Sequence, residues 1–399
     1  MKTLLEEFRN YAREKGIASQ SFIVGGTVRD FLLREKTKDV DIALSGPVRE
    51  IAQDFAEKTG AAFVPLDERF NSYRVVRGDE HIDFSLLRGE NIEEDLRDRD
   101  ITINAMAMPL LSRKRIIDPL GGADDLLRGR IRAVSEKNLR DDPLRVLRAY
   151  RFSALPGFRI EKNTASLLKR LSPLLKKPAP ERVTEEMRHI LMAPHSRRVT
   201  ERMFRDSALR AVIPRMRRKN LSALRVFEGE WRRFPHYREM GKTVDVFSLK
   251  LALLLRGAGE RGTERLVLSN KEKELIERIF LYREVLRRLY KGRPKKITLV
   301  KVLRDAKDEI FTHLIAAYSV LRSANNQRAE KFLQFSRELL RMYLKEVRPK
   351  LGKKLITGDD LIALGMKPGP EMGRMLDRAE LLWLSGKIKT REEIFNYIR

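Results

Sequence analysis

Two aspartates separated by a single residue, Asp39 and Asp41, follow a glycine pair and an arginine in the stretch FIVGGTVRDFLLREKTKDVDIALSG, residues 22–46. Residues i and i+2 of a strand project to one face, so in DVDIAL both carboxylates stand together while Val40 turns to the core. Two like charges at that spacing repel unless a cation lies between them. A hard divalent cation such as Mg2+ is the natural counter-ion, and a pair of such ions can activate an attacking oxygen and steady a leaving phosphate. Asp83, in HIDFSLL, would complete the cluster from a neighbouring strand. Gly25 and Gly26 precede a predicted helix carrying Arg29 in its first turn, where backbone N–H groups and a guanidinium suit phosphate oxygens. Taken alone, a D-x-D also describes a solvated strand end and a G-G a tight turn.

The elements that must hold these side chains are short. Residues 1–135 alternate an opening helix, SFIV, a helix from Val28, DVDIAL, a helix from Val48, AAFVPL, SYRVVRG and HIDFSLL, the pattern of a small mixed sheet with helices. From about Asn138 the pattern changes to long helical stretches such as DDPLRVLRAYRFSAL and EKELIERIFLYREVLRRLY, punctuated by LPGF, KKPAP, KGRPKK and KPGPEMG. The expectation is an α+β chain whose sheet is confined to the first third, the rest being helical.

Composition narrows the chemistry. The 399 residues are long enough for two or more domains. Without cysteine there is no disulfide and no thiolate metal site, and His81, His189, His195, His236 and His313 lack metal-ligand spacing, so a zinc enzyme is not expected. No run of about 18 apolar residues occurs, and a cytoplasmic location is expected. The formal net charge is +27, and residues 1–150 hold 26 Lys and Arg against 27 Asp and Glu. The whole excess therefore lies later, where 57 basic residues face 29 acidic ones. A basic helical surface joined to a near-neutral head suggests a polyanion held by one part while chemistry proceeds in another, although a heat-adapted surface has the same composition.

GGTVRD, DVDIA, DLRDRDITINAMAM, DPLGGADDL, DDPLRVLRAYRF and ERVTEEM occur in the order and spacing of the class II tRNA nucleotidyltransferase and bacterial poly(A) polymerase family, which the sequence closely resembles over residues 20–200. The tail ITGDDLIALGMKPGPEMGRML is similar to the family's C-terminal segment. The resemblance implies a nucleotidyltransferase head (1–137), a helical neck with a base-reading motif (138–200), and a body (201–345) and tail (346–399) that bind tRNA. It implies template-independent, Mg2+-dependent transfer of nucleotides to a tRNA 3′ end. Asp39 and Asp41 would hold the metals with Asp83 as third carboxylate, and pyrophosphate would leave as the 3′-hydroxyl attacks the α-phosphorus of a bound nucleoside triphosphate.

The same resemblance assigns nucleotide contacts to Gly25, Gly26, Arg29, Arg99, Asp100, Asn104, Asp142, Arg145, Arg148 and Arg151. Where the family usually has R-R-D, this chain has Asp98-Arg99-Asp100, and the acid at 98 is a departure. If Asp142 and Arg145 lie on one helix, their i, i+3 spacing puts them on one face. An arginine that only donates, beside a carboxylate that only accepts, fits the edges of cytosine and adenine and leaves buried groups unpaired against uracil or guanine, at about 1–3 kcal/mol each. Asp142 is equally placed to be a helix cap ahead of Pro143. In the motif E-D-x-x-R the first acid is Asp141 here rather than Glu. The resemblance offers Asp118 and Arg132 as a spring or hinge between head and neck, while the residues themselves are expected to form a structural turn and ion pair; Glu181, Arg182 and Glu185 are expected to brace the neck. FSLKLALLLRGAG occupies the place of a phosphohydrolase motif in some relatives, but without a His-Asp pair its leucines read as core.

Between Asp83 and EEDL the chain runs directly through LLRGENI, where complete CCA-adding relatives carry a longer flexible loop. A short loop resembles CC-adding members, in which the pocket stays set for cytidine from CTP, although loop deletions are also tolerated without consequence. A complete CCA-adding enzyme using ATP as well, an A-adding enzyme or poly(A) polymerase, and an inactive tRNA-binding protein share these motifs.

Overall fold

The computed structural model describes residues 3–35, 39–68, 71–112, 115–194, 196–257 and 262–398. His195 lies outside them, as do residues 36–38 of the glycine-to-aspartate stretch and 258–259 at the end of FSLKLALLLRGAG. Two units form, Met1–Val212 and Ile213–Arg399.

The first unit opens with α1 (Leu4–Glu14), started by a reciprocal capping box between Thr3 and Glu6. There follow β1 (Ser21–Val24), α2 (Gly26–Leu32), β2 (Asp39–Leu44), α3 (Val48–Thr59), β3 (Ala62–Asp67), β4 (Ser72–Arg77), β5 (Glu80–Leu86), α4 (Ile92–Arg97) and β6 (Ala107–Pro109). The six strands form one sheet in the order β3-β4-β5-β2-β1-β6. Only β2 and β5 run parallel; the other neighbours are antiparallel. The α+β architecture read from the sequence therefore holds. Helix α2 begins at Gly26 rather than Val28, and the three-residue strand β6 is too short to have left a period in the sequence.

Alternation divides each central strand between two faces. Val40, Ile42 and Leu44 of β2 and Ile82 and Phe84 of β5 are buried. Phe84 meets Phe8 of α1 at 4.8 Å between ring centroids, and Phe8 meets Phe55 of α3 at 5.1 Å. The opposite face carries Ala43, clustered with Leu96 of α4, Ala105 and Ala107. It is on this second face that Asp39, Asp41 and Asp83 project.

Beyond the sheet come α5 (Gly122–Leu127), β7 (Arg130–Ile131), α6 (Glu136–Asp141), α7 (Leu144–Phe152), β8 (Arg159–Ile160), α8 (Lys162–Leu171), α9 (Pro180–Met192), α10 (Ser196–Arg205) and α11 (Ala208–Val212). The helical region thus contains one small correction, a two-residue parallel pairing of β8 with β7. Gly122 cannot be larger, because a Cβ there would stand 2.2 Å from the carbonyl oxygen of Thr102.

The second unit is helical among its described residues. Its core helix Val246–Leu255 is buried from Phe247 to Leu255, as expected of FSLKLALLL, and its one lysine, Lys250, reaches Glu228 Oε1 at 2.6 Å. The helices Gly358–Ala363, Pro370–Leu384 and Arg391–Ile398 share a separate apolar cluster of Leu361, Met372, Ala379, Leu382 and Ile394. Among the described residues no helix is long and apolar enough to cross a membrane.

Candidate active site

Three neighbouring strands bring three charged side chains into one row. Asp41 of β2 is in register with Asp83 of β5, and Asp83 with Arg74 of β4. Strands lie about 4.8 Å apart, so residues in register on one face are nearest neighbours. Arg74 grips Asp83 with both arms, Nε to Oδ1 at 2.6 Å and Nη2 to Oδ2 at 2.7 Å. Asp39, one step earlier on β2, has an exposed side chain 3.2 Å from His81 Nε2. Thr27 of α2 ties the two aspartates together through the backbone, its hydroxyl donating to Asp39 O and accepting from Asp41 N at 2.8 Å.

The Asp41 carboxylate makes no hydrogen bond or ion pair among the described residues. Burial pushes its pKa above the usual carboxylate range; Arg99 opposes the shift, Asp83 adds to it, and Arg148 and Arg29 oppose it more weakly. A charge held at such a cost gains more than an exposed one from a cation brought against it. No three His, Asp or Glu side chains converge as a preformed metal cage among the described residues.

Around Asp41 the chain supplies cations. Gly25 adopts φ +64°, and a Cβ there would meet Arg99 Nη1 at 2.9 Å and Asp41 Oδ2 at 3.6 Å. The glycine turn is thus the space in which Arg99 and Asp41 approach each other. Gly26 leaves equal room beside Asp41 Oδ2 and the Arg29 guanidinium. Arg99 is steadied from behind by Asp95, through Nε at 3.0 Å and Nη2 at 2.8 Å. Arg29 is fixed by Asn104 Oδ1 at 2.7 Å and by Asp30.

Asp100 is the hub on the far side. It accepts from Ile101 N at 2.9 Å and from Arg148 Nε at 2.6 Å. Burial alone would raise its pKa, but the charge and hydrogen bond of Arg148 hold the carboxyl below its usual range. Arg148 and Arg151, one turn apart on α7, share Glu186 of α9 at 3.8 and 3.4 Å. Phe152 lies under three guanidiniums: Arg151 at 4.6 Å, Arg29 at 5.0 Å and Arg148 at 5.9 Å from its ring centroid.

The motif DDPLR requires a correction. Asp142 is not on the helix with Arg145: its backbone is extended between α6 and α7, and its Oδ1 accepts from Leu144 N at 3.1 Å. The i, i+3 face is therefore not what relates the two residues; Pro143 is the N-cap of α7, and Asp142 closes a turn onto Leu144 N just ahead of it. Asp142 Oδ2 takes Arg182 Nη2 of α9 at 3.0 Å. Arg145 donates through Nη1 to the carbonyl of Asp98 at 2.5 Å, while the Asp98 carboxylate pairs with Arg88 at 2.7 Å. The acid at 98 is thus a half-exposed carboxylate paired with Arg88, while the carbonyl that holds Arg145 belongs to the backbone.

Of the residues expected to brace the neck, Arg182 pairs with Asp142, and Glu185 pairs with Arg188 on its own helix. Sequence reasoning missed Glu186, Arg74, Asp95 and Phe152, none of which has a spacing signal; register across strands and helix packing bring them in. The Asp118–Arg132 pair does not form. Asp118 caps α5 through Gly122 N at 2.7 Å and Ala123 N at 2.9 Å, while Arg132 binds Asp125 Oδ2 and Leu120 O. Both still hold the same turn.

Assembled, the site offers paired oxygen donors beside a ring of guanidiniums, suited to a polyphosphate carrying a divalent cation. Two protein-family models match: the Poly A polymerase head domain at residues 21–132, and the "Probable RNA and SrmB- binding site of polymerase A" at residues 157–219. A CC-adding tRNA nucleotidyltransferase from Geobacter sulfurreducens is 32% identical, over 97% of this chain and 93% of the relative. An A-adding tRNA nucleotidyltransferase from Deinococcus radiodurans is 29% identical, over 94% of each. The solved structure of a Thermotoga maritima CCA-adding enzyme complexed with tRNA is alike in fold, with a TM-score of 0.75, 24% identity, and coverage of 100% of this chain and 94% of that one.

Proposed function

This chain belongs to the tRNA nucleotidyltransferase family, and we propose that within it the protein is a CC-adding enzyme, transferring cytidines from CTP to the 3′ end of tRNA with release of pyrophosphate. The observation that carries the product assignment is the connection between β5 and α4. Only residues 87–91 separate the two elements. Leu87 N donates to Leu44 O, Arg88 N to Asp95 Oδ1, and Glu90 N to Glu94 Oε2. A segment this short and this well bonded supplies no lever to re-aim the pocket from a pyrimidine to a purine.

Asp39 and Asp41 are the residues that would hold Mg2+, and their hard, paired oxygens fit it. Such an ion lowers the pKa of an attacking hydroxyl and offsets charge on phosphate. Asp83, in register with Asp41, maintains the negative potential of that row while Arg74 limits it. Gly25 and Gly26 admit the triphosphate close to the backbone, and Arg29, Arg99, Arg148 and Arg151 bind its oxygens. Asp100 and Asn104 hold Arg148 and Arg29 in place and face the ribose.

Asp142 and Arg145 read the base. One Arg145 donor is spent on Asp98, and Asp142 still has lone pairs beyond those used by Leu144 and Arg182. Donor beside acceptor selects cytosine over uracil and guanine, at about 1–3 kcal/mol for each buried group left unpaired. The basic second unit, with 43 Lys and Arg against 23 Asp and Glu in residues 213–399, is the partner for tRNA phosphates.

Extension of a tRNA transcript ending at the discriminator base, with a single nucleotide supplied, tests the base reading. CTP should add two residues and UTP or GTP none; UTP addition at a comparable rate would remove Asp142 and Arg145 from that role. The A-adding relative supports a second reading, with ATP as substrate and a transcript already ending in CC as acceptor.

A further inference from the structure

Arg145, Asp98 and Arg88 form a chain of charges in which one carboxylate stands between two cations. The Asp98 Oδ2 atom is 2.7 Å from Arg88 Nη1 but 4.0 Å from Arg145 Nη2. The first distance is a charge-assisted hydrogen bond and the second is too long for one. Arg145 is instead anchored by the Asp98 carbonyl, at the C-terminal end of α4, through Nη1. Its side chain is 13% exposed, against 40% for Asp98 and 51% for Arg88. The Arg88 backbone is itself fixed, its N–H donating to Asp95 at 3.2 Å.

We propose that Asp98 and Arg88 are positioning residues for specificity: Arg88 holds the Asp98 carboxylate away from Arg145, so that the remaining donors of Arg145 stay available to the incoming base. This deepens the base-reading assignment and rests on it. The physical reason is competition. A carboxylate released from Arg88 has Arg145 as its next cation, and a closed Arg–carboxylate pair would occupy the N–H groups that a cytosine edge needs. As an exposed ion pair, Arg88–Asp98 contributes little to stability, so its effect falls on geometry rather than on folding. The short connection after β5 matters here because it delivers Arg88 to this point.

The test is a double-mutant cycle on the full-length protein with CTP, Mg2+ and a tRNA transcript lacking CCA. Arg88→Ala should raise the KM for CTP about fivefold or more, with kcat and tRNA binding changed less than about twofold. Adding Asp98→Asn to Arg88→Ala should bring that KM back to within about twofold of the parent, because the competing carboxylate is gone. Arg88→Lys, which keeps the cation, should retain the parental KM. An unchanged KM in Arg88→Ala, or penalties that add in the double variant, would overturn the proposal. Arg145→Ala, run in parallel, reports on the underlying reading: if it retains discrimination between CTP and UTP, the base-reading role fails, whatever the Arg88 and Asp98 variants do.

Discussion

Asp83 and Arg74 face each other in register on β5 and β4 and make two hydrogen bonds, so the acid beside Asp41 carries its own cation. The three carboxylates of the motif are therefore unequal. Asp83 is compensated, Asp39 is exposed beside His81, and Asp41 is partly buried with no direct partner among the described residues.

Arg74→Ala releases Asp83 next to Asp41. The site then has one more uncompensated negative charge, which raises the demand for a cation. The expected outcome is a lower melting temperature without divalent metal and a lower Mg2+ concentration for half-maximal transfer. A higher Mg2+ requirement would show Arg74 acting on the substrate instead.

Asp41→Ala separates chemistry from stability. Transfer should fall by about a hundredfold or more while tRNA affinity is unchanged, read by single-turnover incorporation and filter binding. Because burial raises the pKa of Asp41, its charged form is disfavoured in the folded state, and any stability tied to this group diminishes as pH rises. At neutral pH, without metal, Asp41→Ala should therefore not lower the melting temperature. A large loss of stability would mean that Asp41 has a structural partner.

His313 gives the second unit a pH dependence. The ring is fully buried, stacks on Tyr282 at 4.2 Å between centroids, and among the described residues has no hydrogen-bond partner on either nitrogen; Glu309 Oε2, held by Arg278, lies 3.6 Å from Nε2. Burial pushes its pKa below the ordinary 6.5. The unfolded ring takes up a proton near 6.5 and the folded ring only at lower pH, so stability is lost as pH falls through that window. His313→Phe keeps the stack and removes the titration. Its melting temperature should change less than the parent's between neutral pH and about 5, and at neutral pH it should be more stable by about 1 kcal/mol. Parallel curves for the two proteins would contradict this.

The basic second unit predicts a salt-dependent complex. Affinity for tRNA should weaken by about tenfold or more between 50 and 200 mM monovalent salt, with a linear log–log slope. A flat response would assign the charge excess to something other than phosphate contacts.

Much of this was legible in the chain because local pattern determined it. DVDIAL and HIDFSLL alternate, so their acids had to share a face with each other and not with Phe84. Which acid would be compensated was not legible, since Arg74 reaches Asp83 only through strand register. DDPLR misled for a related reason: Pro143 is the N-cap of α7, and the residue before a proline is driven out of the helical region, which leaves Asp142 extended. The departure at Asp98 stood out in the sequence, but its two arginine partners come from a turn and from another helix. Glu186 and Phe152 belong to helix packing, which no spacing rule encodes.

The most direct test of the central claim is nucleotide addition to a tRNA transcript ending in CC, supplied with ATP, Mg2+ and enzyme, beside a transcript ending at the discriminator base supplied with CTP and ATP together. The account predicts that the second transcript gains two cytidines and stops, and that the first is not extended. Efficient addition of adenosine to the CC end would contradict it, and would show that the pocket is re-aimed without a long loop between β5 and α4.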